Sequence, residues 1–508
     1  MPEYNAPIKD FKFVLNDFLN IEEHAQTIGL DMSLMDPLLE EGGRFCKEVL
    51  FPLNQTGDQQ GLKYENGNVI LPDGFVEAYQ QFVQMGWPSF ACDTKYGGQG
   101  LPESIYMAIT EMICSTNLSF GLTPGLTHGA YTAMHGFASD ELNQKFLPKM
   151  VSGEWTGVMC LTEPQAGTDL GLVRTTATPN DDGSYSITGN KIFISAGEQN
   201  ATENIIHLIL ARLPGAPEGP KGISLLVAPK MHINDDGSLG EANGISCGAI
   251  EHKMGLHASP TCVMNYENAK GWLVGEEHDG LRAMFAMMNE ERIYVGIQGL
   301  GIAEVAYQNA HLYAKERLQG RALNGAVNPD GPADPITVHP DVRKMLLTMR
   351  TFTEGARAFA LWTGLELDLS KSHPDEKRRK EAEDFVALVT PIVKAYFTDL
   401  GFEVANLGMQ VHGGYGYIAE YGMEQYARDA RITQIYEGTN GIQALDLVGR
   451  KLPQDFGKLM RGIMYPITEF LEEHRDNEAV ADINKQLYKA TSSLQNATLW
   501  LGQKSMAN

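Results

Sequence analysis

A chain of 508 residues is longer than one compact core requires, so two to four domains are expected. Its formal net charge of −24 argues against nucleic acid and anionic membrane surfaces as main partners, and an anionic ligand would need a local basic or helix-N-terminal site. Hydrophobic residues at 43% fit a folded globular composition and exclude a disordered one.

Six cysteines (Cys46, Cys92, Cys114, Cys160, Cys247 and Cys262) form no CxxC pair, which reads as reduced thiol usage rather than a disulfide framework. Met1 to Asp10 lacks a basic segment followed by an apolar one, so no secretory signal is expected. No uncharged apolar run has the length of a membrane span, and the expectation is a cytoplasmic enzyme with no integral membrane segment.

Residues 1–35 read as an N-terminal extension, in which Phe11, Phe13, Val14, Leu15 and Phe18 dock a short amphipathic piece onto a larger body. From 36 to 155 the pattern is mostly helical. Pro72-Asp73-Gly74 predicts a turn before a helix, and Tyr96–Gly100 and Gly121–Gly129 read as flexible breaks. The character changes over 156–278. Ser184–Ser195, Asn204–Arg212 and Gly222–Ala228 are short β-type runs among turn clusters at Asn180–Gly183 and Asn234–Gly237, which predicts a small antiparallel sheet domain.

Helix returns over 279–450. Ile302, Val305, Ala306, Leu312 and Tyr313 share a face. Val386, Val389, Val393, Tyr396, Leu400, Val404, Leu407 and Val411 step by three and four, so this helix is buried along one stripe and stops at Gly413-Gly414. Between them lie a Gly/Pro-rich insert, Asn324–Pro340, and the charged run Lys371–Asp384, which reads as a solvated face or loop. Residues 451–508 form an additional helical segment. The class is α+β multidomain: helices, a β domain, helices and a helical tail.

Four segments carry candidate chemistry. Thr162-Glu163-Pro164-Gln165-Ala166-Gly167-Thr168-Asp169 opens the β region. Hydroxyls and N–H groups in such a turn can bind a heteroaromatic edge or a diphosphate, although alone it is a polar turn. Gly189–Ser195 as a strand puts Phe193 and Ser195 on one face and Ile192 and Ile194 on the other, which suits a flavin and equally an ordinary half-buried strand. Gln410-Val411-His412-Gly413-Gly414-Tyr415-Gly416-Tyr417 ends the long helix. Its glycines allow close backbone approach to a ligand or a plain C-cap, and His412 reads as structural. In Gln434-Ile435-Tyr436-Glu437-Gly438-Thr439-Asn440-Gly441, an acidic residue just before a helix is ordinarily a capping carboxylate.

In this order and spacing the four segments resemble the acyl-CoA dehydrogenase family, over roughly residues 40–450. TEPQAGTD (162–169) matches one family signature, with Leu172 larger than the small residue usual nearby. QVHGGYGYIAEYGMEQYARD (410–429) matches a second, with Gln425 where Lys or Arg is usual. Glu251–Ser259 also resembles a family segment. The resemblance implies the family's fold, an N-terminal helical domain, a middle β domain and a C-terminal four-helix bundle. It implies FAD as cofactor and an acyl-CoA thioester as substrate.

The implied roles fall residue by residue. Thr162, Gly167, Thr168, Phe193 and Ser195 would surround the isoalloxazine ring. Arg317 would reach the FAD diphosphate of a neighbouring subunit, although the usual aromatic between Gln319 and Gly320 is missing. Gln410 and Gly414 would contact that same neighbour's FAD, and Thr439 would meet the cofactor just after the base. Arg292 would contact CoA, and Asn289 replaces a common Asp. Glu437, flanked by Tyr436 and Gly438 at the substrate, would take the α-proton while a hydride leaves Cβ for flavin N5.

Some branches of the family carry the base on an earlier helix, near Glu291. With Tyr-Glu-Gly intact, Glu437 is the expected base and Glu291 a substrate-binding or reserve carboxylate. The resemblance further implies a homodimer or homotetramer and an electron-transfer flavoprotein as acceptor. The rivals are an acyl-CoA oxidase passing electrons to O2 and a non-catalytic CoA-binding assembly subunit. No metal is expected, since no HExxH occurs among 13 histidines.

Tyr4-Asn5-Ala6-Pro7, the insert Gln319–Arg343 and the helical tail together resemble the bacterial 3-methylmercaptopropionyl-CoA dehydrogenase group. Chains of that group carry a longer C-terminal helical domain. The tail to Asn508 therefore reads as incomplete, with an apolar face left uncovered.

Overall fold

The computed structural model describes residues 2–506. The N-terminal segment docks through Phe11, Val14 and Leu15, which are buried, whereas Phe13 and Phe18 are 61% and 59% exposed. The expected five-residue face is thus three residues wide. Positions 11, 14 and 15 share one side of a helical turn and 13 and 18 point away. Asp10 pairs there with buried Arg357, which also holds Glu111 and Glu304.

The helical half contains α1 (Met32–Phe45), α2 (Glu103–Thr116) and α3 (Leu118–Phe137). A hairpin, Lys63–Glu65 with Asn68–Ile70, interrupts it through Asn66 and Gly67, both at positive φ. Pro72-Asp73-Gly74 precedes the helix Phe75–Gln84 as predicted. Gly121–Gly129 is not a break. It lies inside α3, which Asn117 caps by accepting the Phe120 N–H at 3.0 Å. These glycines answer to packing: a Cβ at Gly129 would stand 2.5 Å from Glu291 Oε1, and one at Gly121 would stand 3.0 Å from Ile113.

The β domain comprises β1 (Trp155–Cys160), β2 (Thr176–Pro179), β3 (Tyr185–Ser195), β4 (Asn204–Arg212), β5 (Ile223–Pro229), β6 (Ile245–Ile250) and β7 (Thr261–Val274). Pairing runs β7–β3–β2–β4–β5 and returns from β5 to β7, so the sheet closes on itself. The expectation of a purely antiparallel sheet is corrected: β1 and β2 each run parallel to β4. β4 and β5 are buried along both faces, so they read as continuous apolar runs rather than alternating ones.

The C-terminal bundle is built on α4 (Gly280–Glu316), α5 (Pro340–Ser372) and α6 (Glu376–His412). Glycines set how closely α4 and α6 approach. A Cβ at Gly299 would meet the Phe397 carbonyl oxygen at 2.5 Å, and one at Gly401 would meet that of Gly299 at 2.4 Å. The α6 stripe holds at Val389, Val393, Val404 and Val411, but Tyr396 is 56% exposed and only edges onto Phe352. By composition α6 is long and apolar enough to cross a membrane; here it packs into the bundle core.

The charged run Lys371–Asp384 is the α5–α6 corner. It is not wholly solvated, since Lys371 reaches inward to Glu103 at 3.1 Å. Gly413 (φ +61) ends α6, and His412 is structural, bonded through Nδ1 to the Gly408 carbonyl and stacked on Tyr313. Beyond α7 (Asn440–Asp446) the tail forms α8 (Lys458–Glu473) and α9 (Ala481–Met506). Tyr465, Ile483, Tyr488, Leu499 and Trp500 on it are each more than half exposed.

Candidate active site

Glu437 occupies the loop entering α7, with left-handed backbone at Glu437 (φ +55) and Gly438 (φ +84). It is not the helix cap. Thr439 fills that role, its Oγ1 accepting the Ile442 N–H at 3.3 Å. The loop's carbonyls are gripped from two sides. Arg292 Nε donates to Glu437 O at 3.2 Å, and Gln443 Nε2 donates to Glu437 O at 3.2 Å and Gly438 O at 3.0 Å. Left-handed backbone at a non-glycine residue costs about 1–3 kcal/mol, and this grip holds it in place.

The grip frees the Glu437 side chain from other duties. The residue is half-buried, and its Oε2 is buried with no hydrogen-bond partner among the described residues. Burial pushes its pKa up to about 7, against the pull of Arg292 and Lys394. A carboxylic acid poised near neutrality is suited to taking and returning a proton.

Glu437 opens onto a cavity lined also by Tyr106, Leu122, Gly125, Ser195, Glu291 and Gln298. Glu291 enters it from α4. Its Oε1 is likewise unpartnered, and burial, then the charges of Glu437 and Glu290, push its pKa up to about 8. Tyr436 donates its hydroxyl to Gln298 on the cavity wall.

Behind the cavity, His128 Nε2 lies 3.0 Å from Glu290 and 3.4 Å from Glu103, whose other oxygen accepts the Tyr294 hydroxyl at 2.8 Å. Burial lowers the His128 pKa, but Glu103 outweighs it and raises the value well above the ordinary one. Glu103, His128 and Glu290 converge closely enough to hold a metal ion. Lys371 reaches the same cluster and pairs with Glu103 at 3.1 Å.

The two β-domain segments are clasped together. Lys191 Nζ, fully buried, donates to Glu163 Oε1 and to the Leu161 carbonyl, each at 2.9 Å. Glu163 also accepts from the Arg174 and Thr175 N–H groups, and the Thr162 carbonyl accepts the Ile192 N–H at 2.9 Å. The expected alternation along this strand is broken. A bulge opposite Cys262–Met264 turns Phe193 out at φ +58, where it is 59% exposed, while Ile194 is buried and Ser195 lines the cavity. Gly167 and Thr168 are exposed in the adjoining turn, and a Cβ at Gly167 would meet nothing within 4 Å. An exposed, conformationally strained aromatic beside an open glycine turn fits a planar ring such as a flavin.

The structure therefore gathers Ser195, Glu291, Tyr436 and Glu437 at one cavity. Arg292 is buried beside it, tied to Asp446 at 3.5 Å and to Asn289 Oδ1 at 3.2 Å, with Asn289 itself on the surface. Arg317, Gln410 and Gly414 lie elsewhere, exposed at the far end of the bundle, with Arg317 over the Tyr415 ring. Arg317 is 26 residues beyond Glu291 along α4, about 39 Å at 1.5 Å per residue. Sequence reasoning missed Tyr106, Gly125 and Gln298 on the cavity wall, and Lys394, Gln443 and Asp446 around the base loop. Only Gly125, in a glycine-spaced helix, left a signal.

Three family models match in succession: the acyl-CoA dehydrogenase N-terminal domain over residues 38–154, the middle domain over 158–269 and the C-terminal domain over 278–452. The chain is 48% identical to 3-methylmercaptopropionyl-CoA dehydrogenase of Ruegeria pomeroyi, over 90% of this chain and 78% of that one. In fold it is similar to Caenorhabditis elegans ACDH-11, solved with C11-CoA, at TM-score 0.82 and 19% identity over all of this chain and 84% of that one. The same holds for an acyl-CoA dehydrogenase of Bacillus anthracis complexed with FAD, at TM-score 0.70 and 24% identity over 87% of this chain and 71% of that one. The chain belongs to the acyl-CoA dehydrogenase family. It is an oxidoreductase acting on acyl-CoA.

Proposed function

We propose that this protein oxidises the Cα–Cβ bond of a short or medium acyl-CoA thioester to the trans-2,3-enoyl-CoA, with Glu437 as the base. Sulfur-containing chains such as 3-methylmercaptopropionyl-CoA are within its range, a reading supported by the Ruegeria relative's activity. The observation that carries the proposal is a buried, unpartnered carboxyl oxygen of Glu437 at a cavity shared with Ser195 of the flavin-type cradle.

Thr162, Gly167, Thr168, Phe193 and Ser195 would hold FAD, which when bound supplies the hydride acceptor. Glu437 removes the α-proton. Its grip by Arg292 and Gln443 keeps the carboxyl aimed while the proton is held. The buried walls exclude water, so an acyl chain entering the cavity further favours the neutral acid. Arg317, Gln410 and Gly414 would meet the FAD of a second subunit, since their own chain's cavity is far away, and a homodimer is the smallest complete enzyme. An electron-transfer flavoprotein is the proposed acceptor.

The test is anaerobic addition of acyl-CoA to wild type and Glu437→Gln, followed by visible spectroscopy. Flavin bleaching in wild type, lost in a variant that keeps FAD, supports the proposal. Equal bleaching in the variant moves the base to Glu291, and a protein that takes up no FAD overturns the proposed function.

A further inference from the structure

An acyl cavity for plain alkyl chains gains nothing from a second carboxyl beside the base. Burying a polar group without a partner costs about 1–3 kcal/mol, and native structures rarely leave one so. Glu291 is such a group: it lines the cavity, is buried, and its Oε1 finds no partner among the described residues. It does not share the base's grip, since Arg292 and Gln443 hold the Glu437 loop. Room has been left for it, because a Cβ on Gly129 would come within 2.5 Å of its carboxyl oxygen. Polar wall groups continue past it along α4 at Tyr294 and Gln298. The hydroxyls of Tyr294 and Tyr436 are already committed, to Glu103 and Gln298. Glu291 therefore presents an uncommitted carboxyl oxygen to a cavity whose wall also carries the apolar Ile113, Leu122 and Val295.

We propose that Glu291 is a specificity-determining hydrogen-bond donor that selects acyl chains carrying an oxygen or sulfur atom beyond the reacting Cα–Cβ bond. Resting on the dehydrogenase reading, this names its substrate class. The donor is the neutral acid, the form favoured where burial and the charges of Glu437 and Glu290 oppose ionisation more than His128 promotes it.

The experiment compares kcat/KM for 3-methoxypropionyl-CoA and pentanoyl-CoA, which differ by one oxygen in place of one methylene. Wild type, Glu291→Leu and Glu291→Gln are assayed as FAD-loaded enzymes. The ether-to-alkyl ratio falls about fivefold or more in Glu291→Leu, the factor one neutral hydrogen bond commonly supplies, and is largely kept in Glu291→Gln, whose amide still donates. Should the Leu variant not fold, the wild-type ratio alone decides. It falls as pH rises through about 8, while the Gln variant's ratio stays flat. An unchanged ratio in Glu291→Leu, or a wild-type ratio independent of pH, overturns the proposal. Loss of the base assignment would show separately, as bleaching retained in Glu437→Gln with both substrates.

Discussion

Near its start, α4 carries Glu291 and Arg292 into a buried cavity beside Glu437; at its other end, Arg317 lies in the open with Gln410 and Gly414. The near end is finished within one chain. Its strained loop is gripped, and the unpartnered carboxyl oxygens of Glu291 and Glu437 belong to residues that line a cavity. The far end has glycines with open space around them and tyrosines facing solvent, Tyr417 among them. On the proposed function the far end is a half-site that a second chain completes, and the contrast then separates chemistry from cofactor retention along a single helix.

The largest expected effect lies at the near end. Glu437→Gln lowers the rate of flavin bleaching about a thousandfold, within the range of general-base contributions, and leaves FAD affinity within twofold or so of wild type. Stopped-flow reduction and FAD titration of the apoprotein check both halves. At the far end the pattern inverts. Arg317→Ala weakens FAD binding about tenfold or more, as for loss of a charged hydrogen bond, with little change in the bleaching rate at saturating FAD. Mixing the two variants, denatured and refolded together, restores activity if each site takes its far-end residues from the other chain. No recovery on mixing would put Arg317 outside any shared site.

The clasp under the flavin-type cradle comes next. Lys191→Met leaves Glu163 buried without its cation, and removing one partner of a buried pair costs about 3–5 kcal/mol. Denaturant unfolding of the apoprotein shows the loss. Simultaneous Glu163→Gln recovers part of it, because an amide is less costly to bury than an unpaired carboxylate.

Protonation of the base gives a pH test of comparable size. Its folded pKa of about 7 lies above the ordinary 4.5, so the native state holds this proton more tightly than the unfolded chain. That stabilisation is complete below about pH 4.5 and is lost as pH rises through 7, a span worth roughly 3 kcal/mol. Relative to wild type, Glu437→Gln therefore gains thermal stability between pH 5 and pH 8. Activity runs the other way, rising with pH through about 7 as the carboxylate form becomes populated. A variant-to-wild-type stability difference that is flat with pH would show that Glu437 is solvated.

How much of this was legible in the sequence depended on range. The helices over 280–412 announced themselves because apolar positions recur at helical spacing, and the signature residues around Glu437 and Thr162 stand in contiguous runs. The rest of the cavity wall did not: Tyr106, Gly125 and Gln298 come from three helices, and only their packing makes them neighbours of Glu291. Phe193 was placed on the wrong geometry because a bulge, invisible to strict alternation, shifts the strand's register. The hairpin at Asn66-Gly67 was readable, since that dipeptide between β-type residues is a strong turn signal, but it was swamped by the helical pattern around it. Gly121–Gly129 misled because glycine signals both flexibility and close approach, and sequence alone does not separate the two.

Gly125 and Gly129 separate them by experiment, with the smallest effects of the set. They sit one turn apart on α3, in the same helical backbone, and both lose entropy on folding. A Cβ at Gly125 meets nothing within 4 Å, so Gly125→Ala raises stability by roughly 0.5–1 kcal/mol, the ordinary helical gain, while it narrows the cavity. Gly129→Ala brings a methyl to 2.5 Å from Glu291 Oε1 and 3.1 Å from Met287. The carboxyl must swing away, and overpacking of this kind costs about 1–3 kcal/mol, which outweighs the helical gain. Opposite signs in paired thermal melts would show that α3 is a rigid wall shaped around Glu291. Stabilisation by both substitutions would mean that the Glu291 carboxyl is free to move and that its place on the wall is not fixed by packing.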